Sequence, residues 1–140
     1  MISQSSLSGE ILDALYKAKD IKDREYENAS KWITDIIKNP DRAKQTYCEV
    51  CGHSDWKLER HHVRGRKHGN ENITVCCECH NRLTDSQRLW DRSWLATNSK
   101  NKNSFLSHGI IDICRLRYEK TYEEIYKLMA EKLTEGFSYD

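Results

Sequence analysis

The chain has 140 residues, 32% of them charged, with 23 lysines and arginines against 22 acids and a net charge of +1. Its mean hydropathy is −0.88, and it contains no transmembrane segment, repeat or low-complexity tract, which argues against a membrane-spanning class; no membrane partner is expected. A near-neutral balance also excludes the general attraction of a strongly basic protein for nucleic acid, so such binding would have to come from local patches.

One domain with arms is the organisation this length predicts: an N-terminal helical arm over 1–40, a core over 41–96 and a C-terminal helical segment over 97–140. The start, MISQSSLSGE, has neither the basic nor the apolar region of a secretory signal, so a reducing, cytoplasmic location is expected.

Residues 8–38 read as helix. Ser8 is the candidate N-cap, and Ile11, Leu15 and Ala18, then Tyr26, Ala29, Ile33, Ile36 and Ile37, recur at helical spacing as core positions. Lys19 to Arg24 weakens the stripe, so one long helix or two shorter ones both fit. Asn39 and Pro40, the only proline, end it.

Cys48 to Asn81 is the stretch that organises the rest. Two Cys-x2-Cys pairs, Cys48/Cys51 and Cys76/Cys79, are separated by 24 residues. Each pair can place two thiolates on one tetrahedral zinc, and two pairs close a structural site with no open position. Disulfides are the alternative, disfavoured in a reducing compartment. Cys77 competes with Cys76 as ligand, although the x2 spacing favours Cys76. Cys77 and Cys114 are then spare, and both are expected to be small buried side chains. Zinc with four thiolates contributes −2, taking the chain from +1 to −1.

Between the knuckles, 56–63 (WKLERHHV) alternates like a strand, with Trp56 and Leu58 on one face and Lys57 and Glu59 on the other. Adjacent strand residues point to opposite faces, so His61 and His62 divide their labour: one imidazole can hold a cation while the other faces a water. Since Cys79 must reach the same zinc as Cys48, His80 is drawn back against the strand, which could open a second, catalytic cation site. Glu59 shares the parity of His61 and either steadies that ring or is merely solvated. Asn72 reads as a turn residue. Within 56–68, Lys57, Arg60, Arg64, Arg66 and Lys67 stand against Glu59 alone, a local balance of +4. Arg64 and Arg66, in a glycine-containing turn, suit phosphate contacts.

Thr84 to Leu95 reads as helix around Leu89, Trp90 and Trp94, with Arg82, Arg88 and Arg92 along a broad face. Residues 97–104 (TNSKNKNS) read as a polar connector and hinge. Ser107 is expected to cap a helix over Ile110–Tyr118, and Thr121 with Glu124 to form a capping box for a helix whose apolar side is Ile125, Leu128, Met129 and Leu133, closed by Gly136. This acidic segment is expected to pack on the N-terminal helix or on a second copy.

The residues E-x-H-H-V (59–63), Asn72 four before Cys76, and C-x2-C-H (76–80) resemble the HNH endonucleases, especially the zinc-containing kind of phage and mobile elements. The resemblance covers 47–83. It implies an α+β, mostly helical protein with a ββα-metal core on a four-cysteine zinc site, flanked by N- and C-terminal helices. It further implies His62 as general base, His61 and His80 as ligands of a catalytic Mg2+ or Mn2+, and Asn72 as the residue fixing the loop. The last position is often Asn, and here Asn81 stands beside His80. DNA is the implied partner, held by Arg60, Arg64, Arg66, Lys67 and Arg82, with a homodimer or a larger phage assembly as further possibilities. The competing reading is a zinc-ribbon-like module that binds DNA or protein without catalysis.

Overall fold

The computed structural model describes residues 4–54, 57–65, 69–90 and 99–135, with side chains from Gly9 onward in the first helix and from Phe105 onward in the third, those of residues 10, 15 and 18 excepted. Among the described residues there are four helices and one two-stranded antiparallel sheet. In chain order they are α1 (Gln4–Lys38), β1 (Glu59–His62), β2 (Asn72–Val75), α2 (Cys77–Arg88), α3 (Ser99–Thr121) and α4 (Glu124–Glu135). Among the described residues no helix is long and apolar enough to cross a membrane.

The first helix is unbroken. It starts upstream of Ser8, which lies inside it, and it runs through Lys19 to Arg24 because no glycine or proline interrupts that stretch and ion pairs at i,i+4 support it, Asp13 with Lys17, Asp20 with Arg24 and Glu27 with Lys31. At 1.5 Å per residue it is about 50 Å long, far longer than the 12-residue α4 beside it. Only its last third therefore reaches the body. Ala29 and Ile36 are fully buried there, whereas Ile11, Tyr26 and Ile37, expected in the core, are exposed.

Two further expectations fail for a common reason, that polar composition does not by itself stop a helix. Residues 99–104 lack glycine and proline and belong to α3, so the expected connector is helical from Ser99 onward, while 97 and 98 lie outside the described residues. Ser107 is consequently interior to α3. Thr121 ends α3 rather than capping α4: its hydroxyl donates to the Arg117 carbonyl at 2.7 Å and accepts from the Glu123 amide at 3.3 Å. Tyr122 then takes a left-handed φ of 58° that turns the chain into α4. Gly136, Arg92, Trp94 and Leu95 are outside the described residues. The face of α4 that enters the core carries Tyr126 and Ala130, flanked by half-buried Ile125 and Met129, and leaves Leu128 and Leu133 exposed.

The core lies between the hairpin, α2, α3 and the end of α1, where Val63, Ile73, Val75, Leu83, Ile110, Ile113 and Cys114 meet. Gly109 lets α3 approach the strand end, since a Cβ there would collide with the Val63 carbonyl. Beside this apolar centre sits a buried polar hub. The Arg42 guanidinium donates to Asp35 at 2.8 Å and to both Glu49 oxygens at 2.5 and 2.8 Å, and Glu49 also accepts from the Thr74 amide at 2.6 Å and from the Trp32 indole at 3.2 Å. One carboxylate thus ties α1, the first knuckle and β2 together. On the opposite flank of Trp32, the Arg117 guanidinium stacks 4.5 Å from its ring and 4.3 Å from that of Tyr126.

Candidate functional site

Cys48 and Cys51 sit in a tight turn closed by the Gly52 amide on the Cys48 carbonyl at 2.8 Å, with Gly52 at a φ of 79° that favours glycine. Cys76 is the N-cap of α2 and Cys79 lies one turn inside it. The four sulfurs fall within 4.8 Å of one another. An ideal tetrahedron with 2.3 Å metal–sulfur bonds has edges of about 3.8 Å, and the Cys51 and Cys76 sulfurs are 3.8 Å apart. The donor set and its spacing therefore fit a zinc ion, and none of the six cysteines is in a disulfide. Sulfur crowding shows in thiol acidity: a hydrogen bond from Cys79 brings the Cys48 thiol down to about 4, and Cys79, as the donor, is pushed up. Cys114 is buried, as expected, and burial raises its thiol to about 12. Cys77, expected buried, is exposed. As the first residue of α2 it points away from the turn that carries Cys76 and Cys79.

Strand alternation separates the two histidines. His61, opposite Ile73 in the register, is buried at 3% exposure, while His62, opposite Asn72, is half-buried. Desolvation in the core pulls the His61 imidazole down to about 3, with His80 and His62 adding repulsion. The ring is neutral at physiological pH. His80, the residue after Cys79, is carried back to β1 by the clamp, and its ring meets that of His61 edge to face with centroids 5.6 Å apart. Asn81 faces Cys77 instead.

Glu59 is neither solvated alone nor turned to His61. Its carboxylate lies 2.6 Å from His80 Nδ1, so that nitrogen carries a proton and the ring is oriented by Glu59. Asn72 acts on the backbone, donating to the Pro40 carbonyl at 2.9 Å and the Asn70 carbonyl at 3.0 Å, so it pins the long hairpin loop to the end of α1. The His61 ring has a different neighbour: the Gln87 amide nitrogen lies 3.2 Å from His61 Nε2. Gln87 is two helical turns beyond His80, and no motif or spacing pointed to it. Among the described residues, the four cysteines are the one group of three or more such side chains with ligand atoms this close.

The basic residues around the hairpin are partly committed. Arg64 forms an ion pair with Glu71 at 2.5 Å, and Arg82 with Glu119 on α3 at 2.6 Å. Arg60 is exposed on β1, and Arg66 and Lys67 lie outside the described residues. Arg88, on the exposed side of α2, pairs with Asp85.

No family model, no curated protein and no solved structure matches the chain.

Proposed function

We propose that the protein is a metal-dependent endonuclease of HNH type that hydrolyses DNA phosphodiester bonds around a structural zinc. The observation that carries this reading is the meeting of His61 and His80, 19 positions apart in the chain, on one face of the hairpin with His62 on the other. A zinc-binding ribbon needs four sulfurs and a surface; it has no need for imidazoles gathered in this way. His80, oriented by Glu59, is the residue ready to hold a divalent cation, and His61 is its neighbour. Such an ion, Mg2+ or Mn2+, would supply positive charge to offset the negative charge developing on the phosphate and the leaving oxygen. His62, half-buried and next to His61 in β1 but on its other face, is assigned as general base by the resemblance alone, a role typically worth about 10²–10⁴-fold. Arg60, exposed on β1, is a described basic residue left for the DNA backbone, since Arg64 and Arg82 already face carboxylates.

The test is relaxation of supercoiled plasmid by the zinc-loaded chain with Mg2+ or Mn2+, against His62→Ala. The reading expects nicking by the intact chain and a loss of at least about 100-fold in the variant with DNA binding retained. Equal nicking by both removes His62 as base. No cleavage of duplex, single-stranded or branched DNA under either ion favours the second reading, a zinc-ribbon-like binding module. That reading has its own support, because His61 is buried and hydrogen-bonded as a structural histidine would be.

A further inference from the structure

We propose that Gln87 is a positioning residue that locks His61 in its Nδ1–H tautomer and must release Nε2 before His61 can ligate a cation. The inference deepens the reading of the same histidine site and rests on it for its functional meaning.

The argument starts from the amide. Gln87 Nε2 is 2.8 Å from the His62 carbonyl oxygen, 3.4 Å from that of Val63 and 3.2 Å from His61 Nε2. Carbonyl oxygens only accept, so the group facing them must be the NH2 end of the amide. Were the amide turned over, its oxygen would lie against two acceptors. With the NH2 end fixed by the backbone, His61 Nε2 can only be an acceptor, and the ring's single proton sits on Nδ1. Both nitrogens are then closed to a metal, one by its proton and the other by Gln87. His80 differs at this point. Its Nδ1 faces a carboxylate, which accepts, so in the neutral ring the lone pair is on Nε2. A two-histidine cation site therefore forms when the Gln87 amide swings off His61, freeing Nε2 while Nδ1 keeps its proton. Until then the cation has His80 alone.

The consequence is a competition. Removing the amide donor while keeping the side chain's length makes His61 available at lower cation concentration. The experiment uses the zinc-loaded full chain and a Gln87→Met variant at pH 7.5. Long-range 1H–15N spectra of the histidine rings read the tautomer, and the fall of the free Mn2+ EPR signal reads cation binding. The proposal expects His61 as Nδ1–H in the wild-type chain, a mixed or Nε2–H ring in Gln87→Met, and Mn2+ bound roughly fivefold more tightly by the variant, the size set by losing one neutral hydrogen bond. A wild-type His61 in the Nε2–H form overturns it, even if the variant does not fold. An unchanged tautomer with unchanged or weaker Mn2+ binding in a folded variant overturns it as well. A merely structural Gln87 would alter the melting temperature without moving the tautomer. Neither readout depends on DNA cleavage, so a chain that cuts nothing would refute the nuclease reading separately.

Discussion

The centre of the molecule and the outer two-thirds of α1 are held by different physics. Around the first knuckle, charged groups are taken out of water and every one is matched: the Arg42 and Glu49 side chains are only 7% and 2% exposed and bond each other, Asp35, Trp32 and the backbone of β2. Along α1, Tyr16 is 72% exposed, and the ion pair of Asp13 with Lys17 at 3.0 Å joins two largely exposed side chains. A two-stranded hairpin with one short helix cannot bury enough apolar surface to order itself. Its order comes from packing on α3 together with directional bonds, guanidinium to carboxylate, and from four cysteines placed where they could hold a metal. The outer arm of α1 is a helix by local preference, and its described side chains are exposed as far as Asn28.

This contrast can be broken most forcefully at the hub. Arg42→Ala leaves Glu49 as a buried, uncompensated carboxylate, so thermal or denaturant unfolding should show a loss of about 3–5 kcal/mol. A loss below about 1 kcal/mol would mean that the hub is incidental. Acid probes the centre next. His61 is neutral in the fold with its pKa lowered to about 3 by burial, whereas in the unfolded chain it titrates near 6.5. The unfolded state therefore takes the proton first, and stability present above pH 6.5 drains away as pH falls toward 3. Between pH 7 and pH 5 the loss attributable to this ring is about 2 kcal/mol. Denaturant titrations of the wild type and His61→Gln across that range should differ in slope accordingly, zinc loss being common to both; parallel curves would count against the buried neutral ring. The smallest effect belongs to the arm. Lys17→Ala should cost less than about 0.5 kcal/mol and lower helicity only slightly; an effect as large as that of Arg42→Ala would show that the arm is not independent of the centre.

Much of the centre could be read from residue order because its constraints are local. Two Cys-x2-Cys pairs can make few things other than a clamp, and once Cys76 and Cys79 are assigned, α2 and the return of His80 to the strand follow. Alternation likewise separates His61 from His62. Long-range polar pairing was not legible. Arg42, Glu49, Arg64 and Glu71 look like ordinary surface charges until the fold apposes them, and the same holds for Glu59 with His80 and for Gln87 with His61. Nor can a stripe of apolar residues report where the body it packs on comes to an end, which is why Ile11 and Tyr26 read as core and stand in solvent.

The claim beneath all of this is that four sulfurs, joining the first knuckle to the start of α2, hold His80 beside His61. Hydrogen exchange of the full chain before and after chelation tests it most directly. Withdrawing the metal should raise exchange at the first knuckle and throughout β1, β2 and α2, while α3 and α4, which pack chiefly on each other, keep their protection. Unchanged protection in the hairpin and α2 once the metal is gone would contradict the account.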